Sequence, residues 1–362
     1  MESVVNPAFW RGRRVFLTGH TGFKGSWLAL WLHELGADVT GYALAPPTQP
    51  NLFETARIDE TLDSIIGDIR DAEHLGRAIR NARPQTLFHL AAQPLVSIGY
   101  DDPVGTFTTN VIGTVNILEA ARSCPDLQSI VVVTTDKCYD NRETLHDYVE
   151  SDPLGGHDPY SSSKACAELV SASYRKSFFN TPDAPHLATA RAGNVIGGGD
   201  WADNRLVPDL LRAFAVHQTA QLRHPGAIRP WQHVLEPLAG YLSLAEQLSG
   251  NSSLARAWNF GPTLADCVST GELADQFATQ WAEGAHWESE PTTLPHEAQL
   301  LRLNTDAAQQ MLKWRPKWPL NEAVRQTVAW HRAWLSGHDM QSFSRDQIKQ
   351  YLRISNAFDE PR

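Results

Sequence analysis

The sequence predicts an α/β protein: a Rossmann-type, doubly wound parallel sheet followed by a smaller C-terminal substrate-binding domain. Three observations carry this. Short apolar runs alternate with amphipathic stretches through the first two hundred residues, and Ile130-Val131-Val132-Val133 has the composition of a strand covered on both faces. Glycines 19, 22 and 25 fall directly between a strand and a helical pattern. Tyr160 and Lys164, four apart after Asp158-Pro159, share one face of a helix that opens behind the buried run.

The elements follow in order. Arg14 to Leu17 is a first strand, and Phe23, Trp27, Trp31 and Leu35 recur every four residues beyond the glycine turn. Strand, glycine turn and helix together make a phosphate site, because backbone N–H groups approach a pyrophosphate and the helix N-terminus favours its charge. The spacing is G-x-x-G-x-x-G, one residue off the common G-x-G-x-x-G. Asp38 to Leu44 is a second strand that runs into Ala45-Pro46-Pro47. It ends in neither a ribose-binding acid nor an Arg, which leaves NAD against NADP undecided by that rule and leans towards NAD.

Ser64 to Asp68 is a third strand, and Asp68 is open to two readings: an adenine contact or the N-cap of a helix over Asp71 to Arg80. Gln85 to Leu90 is the fourth strand, and Ala91 and Ala92 at its end permit close approach of a cofactor. A helix runs from Pro103 to Ala121, and the helix-weakening Asn110 and Gly113 inside it require a reason of their own. After Ile130–Val133 come Thr134-Thr135-Asp136-Lys137, then a helix over Ser161 to Phe179 and a strand over His186 to Ala192. Gly197-Gly198-Gly199 predicts a mobile loop at the carboxyl edge of the sheet, a lid or substrate loop. Helices follow at Leu206 to Val216 and Leu320 to Leu335, where Trp330 and Trp334 read as packing. The tail from Ser336 reads as polar and without pattern. The division expected is a dinucleotide-binding domain over 1–193, with a strand and helix returning from about 230–262, and a substrate domain mainly over 194–362.

At 362 residues and a formal charge of −10, with no Lys/Arg block, the chain excludes a nucleic-acid surface. Cys124, Cys138, Cys166 and Cys267 form no C-x-x-C pair, so neither a metal site nor a disulfide framework is expected. No secretory leader and no membrane-length apolar run stands in the sequence, so the expected compartment is the cytoplasm.

Gly19, Gly22 and Gly25, Leu90-Ala91-Ala92, Asn110-Val111-Ile112-Gly113-Thr114, and Tyr160 with Lys164 together resemble the extended short-chain dehydrogenase/reductase family, in its nucleotide-sugar branch. Thr135-Asp136 before a third polar residue resembles the sugar-nucleotide 4,6-dehydratases, although most of those carry Glu where this chain has Lys137. The resemblance implies NAD, with Phe23, Asp68, Ile69, Leu90, Ala91, Ala92, Tyr160, Lys164 and the glycines around it. It implies Gln93, Thr135, Asn194 and Arg229 at the substrate, for which CDP-glucose is favoured. It further implies a homo-oligomer, dimer or tetramer, joined through the helices after Asp102 and Tyr160.

The reaction so implied removes water across C5–C6 of a glucosyl nucleotide after transient oxidation at C4. A ketone at C4 makes the C5 proton removable, which an unactivated sugar does not allow. Tyr160 is then the base at the C4 hydroxyl, Thr135 bonds the same oxygen, and Lys164 lowers the phenol's pKa. Asp136 is the acid for the departing hydroxyl. Lys137 is either the base at C5 or a cation that stabilises the enolate. Three rivals stand: a nucleotide-sugar 4-epimerase, a dehydratase for another nucleotide and, from another class, a non-catalytic dinucleotide sensor.

Overall fold

The computed structural model describes residues 5–289 and 300–354. Its centre is a parallel sheet whose seven strands among the described residues are β1 (Arg14–Thr18), β2 (Asp38–Ala43), β3 (Asp63–Ile66), β4 (Thr86–His89), β5 (Ser129–Val133), β6 (His186–Ala192) and β7 (Ala257–Phe260). They lie in the order β7-β6-β5-β4-β1-β2-β3, all parallel. The order reverses between β1 and β4, and the crevice at that switch point is where open α/β sheets bind ligands.

β5 shows why the sheet is doubly wound. Successive side chains of a strand point to opposite faces. Ile130 and Val132 enter a core with Leu75, Ile79, Ile117 and Leu118, while Val131 and Val133 enter another with Trp27, Trp31, Leu238 and Tyr241. Neither face can be left wet, so helices must cover both. α1 (Phe23–Glu34) and α5 (Leu235–Leu248) lie in the second layer. α2 (Ala72–Ala82), α3 (Gly113–Ala121) and α4 (Pro159–Ser177) lie on the first. Asp158 caps α4, accepting from the Ser161 N–H at 2.9 Å, with Pro159 in its first turn.

Residues 103–121 are helical but not uniformly α: Pro103–Phe107 is followed by a π turn over Thr108–Ile112. The turn seats Asn110, which bonds the backbone of Gln93 in both directions, at 2.8 and 3.0 Å, and the Ser163 hydroxyl at 2.8 Å. Gly113 admits the Ile69 side chain, which a β-carbon would strike. Thr114 bonds the buried His89. These residues clamp the end of β4 to α4, which supplies the reason their helix-weakening chemistry required.

Two expectations are corrected. The triple-glycine segment is a packed turn and not a mobile lid. A β-carbon on Gly198 would enter the Trp330 ring, one on Gly197 would lie 2.9 Å from Val234, and the Trp27 indole donates to the Gly198 carbonyl at 2.9 Å. The glycines are there because bulky rings close over them. The tail is also structured: Met340–Arg353 is a helix capped by Asp339, with Met340, Ile348 and Tyr351 buried. Trp330 is fully buried, and its indole donates to Ser344 of that helix at 2.8 Å. Farther out, Leu210, Phe214, Phe277, Trp281 and Val324 form a separate core beyond the carboxyl edge of the sheet.

Candidate active site

The glycine turn stands at the switch point. Gly19 has φ +79°, a left-handed conformation, and a β-carbon on it would lie 2.8 Å from the Ala91 nitrogen. Gly25 lets α1 start against the Gly19 carbonyl, a position with no room for a side chain. Gly22 is the N-cap of α1 and no side chain caps it. The Leu90 and Ala91 N–H groups are turned towards β1, both donating to the Thr18 hydroxyl at 3.1 Å. An uncapped helix start in a cradle that any β-carbon would fill suits a dinucleotide diphosphate.

Of the two readings of Asp68 the structure removes one, since Asp71 caps α2 through the His74 N–H at 3.0 Å. Asp68 instead pairs with Arg70 at 2.5 Å, which holds its carboxyl below the usual range, and its carbonyl accepts from Tyr42. Ile69 is buried against Gly113. β2 contributes Gly41, which leaves room for the His20 ring, and that ring bonds Ser64 at 2.8 Å.

Beyond β5 the chain turns at Thr135, the N-cap of a short 3-10 turn over Asp136–Cys138. Asp136 is 2% exposed. The Thr135 hydroxyl donates to its Oδ1 at 3.0 Å, and its Oδ2 is buried without a partner. Burial pushes this carboxyl above the usual range, against Lys137, the Thr135 hydrogen bond, Arg229 and Lys24, which pull it down. Thr135 stands beside Tyr160 and favours its phenolate. Lys164 is buried and donates to the Val133 carbonyl at 3.2 Å. One end of β5 thus gathers Thr135, Asp136, Tyr160 and Lys164.

The phenol differs from expectation. Burial dominates and pushes Tyr160 up to about 12, although Thr135 and the Arg205 charge favour phenolate. Burial also brings Lys164 down to about 8. The Lys164 ammonium is turned to the Val133 carbonyl, and desolvation sets both groups in place of the pairing expected of Tyr160 and Lys164.

Arg229 is buried on strand Ile228–Pro230, and its charge reaches Asp136. Asn194 stands at the turn leaving β6. The Gln93 amide is committed within the chain, donating to Thr106 at 2.8 Å and accepting from the Leu95 N–H.

Three groups escaped sequence reasoning. Lys24 lies within the charge field of Asp136 and Lys164, is brought to about 7 by burial, and donates to the Tyr241 hydroxyl at 3.5 Å. Arg205, paired with Asp200 at 3.0 Å, acts on both Tyr160 and Lys24. Glu168 lies one turn beyond Lys164. A lysine inside the apolar start of α1 is the available signal for Lys24; Arg205 lies more than seventy residues beyond β5 in sequence and carries none. Among the described residues no cluster could hold a metal ion, and no helix is long and apolar enough to cross a membrane.

Sheet order, switch-point glycines and the Tyr160–Lys164 face define a Rossmann-class protein of the short-chain dehydrogenase/reductase type. The family described as GDP-mannose 4,6 dehydratase matches residues 16–327, and the chain belongs to that family. It is 48% identical to the CDP-glucose 4,6-dehydratase of Salmonella typhimurium over 96% of this chain and 99% of that protein. With the UDP-glucose 4-epimerase of Mycolicibacterium smegmatis it shares 26% over 88% and 98%. The dTDP-glucose 4,6-dehydratase of Streptomyces venezuelae, solved with NAD bound, superposes at TM-score 0.77 with 22% identity, over 90% of this chain and 99% of that one.

Proposed function

We propose that the chain converts CDP-D-glucose to CDP-4-keto-6-deoxy-D-glucose and water, with NAD as its resident redox group. The glycine cradle, the uncapped start of α1 and the small residues after β4 fit that cofactor. When bound, NAD supplies a hydride acceptor for C4 of the sugar and a donor for C6. Tyr160 and Thr135 hold the C4 hydroxyl, and Tyr160 accepts its proton as phenolate, the form that Thr135 and the Arg205 charge favour against burial. Lys164 anchors this face of α4 and contributes positive charge beside the phenol. Arg229 and Asn194 hold the nucleotide diphosphate, and residues 194–362 carry most of the nucleotide contacts.

Asp136 is the observation that carries the reading. Elimination needs a carboxylic acid beside the C4-activating pair, and burial favours the protonated form here. An adjacent Asp and Lys would rest in water as carboxylate and ammonium. In this site burial works against the carboxylate of Asp136, so Asp136 can protonate the departing 6-hydroxyl, while Lys137 beside it faces C5 as base or enolate-stabilising cation. An epimerase needs no such acid. The chain works in the cytoplasm, and it associates through the exposed apolar side chains of residues 103–121 and α4.

Incubation with CDP-, dTDP-, GDP- and UDP-hexoses tests the reading. A 4-keto-6-deoxy product from CDP-glucose is expected. Inversion at C4 with the 6-hydroxyl kept would indicate the epimerase, and bound NAD with no turnover of any hexose the sensor.

A further inference from the structure

Behind the site lies a buried cluster that the reaction above does not use. Glu168, one turn beyond Lys164 on α4, is 3% exposed. Its Oε1 accepts from the Thr134 hydroxyl at 2.6 Å, and its Oε2 from the Thr189 hydroxyl at 2.7 Å and the Arg191 guanidinium at 2.8 Å. Arg191 in turn donates to the Tyr139 hydroxyl at 2.8 Å, and Tyr139 donates to Asn259 at 2.7 Å. The cluster joins α4 to β6, β7 and the residue that follows β5, directly under Thr135-Asp136. Both carboxylate oxygens are committed to hydrogen bonds, and the carboxylate, although paired with Arg191, stands one helical turn from the Lys164 ammonium.

We propose that Glu168 is a positioning residue that acts through Lys164: its buried negative charge keeps the Lys164 side chain an ammonium in a site that would otherwise strip its proton. The proposal rests on the reading that Tyr160 and Lys164 serve oxidation at C4. The groups around Lys164 leave this task to Glu168. On α4 itself stand Tyr160 and Glu168. The turn after β5 brings Asp136 and Cys138, and the start of α1 brings Lys24. β4 brings His89, which burial holds neutral, β6 brings Arg191, and α5 brings Tyr241. Lys24 and Arg191 oppose a charge on Lys164, and the Cys138 thiol and Tyr241 phenol are pushed up by burial and stay neutral. Glu168, held ionised by Arg191 and two hydroxyls, is the carboxylate nearest in the helix. Burial lowers Lys164 to about 8, and the Glu168 charge is the largest effect raising it.

The test separates charge from shape. E168Q keeps the length of the side chain and loses the charge; E168D keeps the charge and shortens the reach. The chain has seven lysines, so 13Cε-lysine labelling resolves the Lys164 titration, assigned by its loss in K164R, without added cofactor. E168Q is expected to lower that midpoint by about one pH unit or more, and E168D to hold it near the wild-type value. The alkaline limb of kcat for dehydration is expected to move with it. If E168Q leaves Arg191 too exposed to its own charge for the protein to fold, E168Q/R191Q is compared with R191Q, which shares the loss of Arg191, and the fall in the Lys164 midpoint is expected between those two. An unchanged Lys164 midpoint in the charge-free variants, or a midpoint in E168D as low as in E168Q, overturns the proposal. Should the wild-type protein turn over no nucleotide sugar, the functional reading fails while the titration still decides the role of Glu168.

Discussion

Gly193 lies against the Asp136 carboxyl so closely that a β-carbon there would sit 2.5 Å from Oδ2 and 2.7 Å from Pro230. The residue leaving β6 therefore sets where the acid at the end of β5 points. A methyl group would have to push the carboxyl or the Pro230 strand aside. We expect G193A to lower kcat for dehydration about 100-fold, the cost of misplacing a catalytic group by an ångström, while NAD binding is kept. Steady-state kinetics beside a cofactor titration checks this.

Asp136 itself gives a second prediction, with a sign. Its folded pKa lies above its unfolded one because burial disfavours the carboxylate. The stability held by the neutral acid is thus present below the unfolded pKa and lost as pH rises through the folded value. D136N, permanently neutral, is expected to become more stable relative to wild type on going from pH 5 to pH 8, and to lose roughly 10²–10⁴ in kcat. Urea unfolding at both pH values and product assays measure the two halves.

Glu236 makes the same argument far from the chemistry. Its carboxyl is fully buried, accepts from the Lys317 and Trp318 N–H groups and from the Tyr351 hydroxyl, and is pushed up to about 7 by desolvation. Its contribution is full below the unfolded value near 4.5 and falls as pH rises through 7, by on the order of 3 kcal/mol. The wild-type protein should lose stability between pH 5 and pH 8, and E236Q should flatten that slope in urea titrations.

The exposed side chains of Val104, Ile112 and Leu169 lie on residues 103–121 and α4. We expect V104E/L169E to shift the protein to monomer, read by sedimentation velocity, with the thermal unfolding of each subunit retained. A wild-type protein that already sediments as a monomer would remove this face from any assembly.

The sheet was legible because its signals are local. The β-branched run at 130–133 and the glycine turn stand in order along the chain, and β6 falls on His186–Ala192, as read. Tyr160 and Lys164 were legible through their spacing on one helix. What stayed hidden depended on distance in sequence. Gly197 to Gly199 read as freedom, since nothing local says that Leu52, Val234 and Trp330 close over them. The last helix is hidden because its stripe, Met340, Ile348 and Tyr351, is diluted by Gln and Ser that are themselves buried and bonded. The phenol's pKa is hidden for a third reason: proximity to a cation is visible in spacing, but the loss of water around both groups is not.

β7 carries one more consequence. It pairs with β6 along Thr189 to Ala192, although some sixty-five residues of chain separate the two strands. A fragment that stopped at 193 would keep the glycine turn, Asp136, Tyr160 and Lys164 but leave β6 as a bare, apolar rim. Such a rim recruits strands from other molecules. The N-terminal half expressed alone should therefore precipitate, so a soluble minimal version must be cut after Phe260 or be spliced to include it.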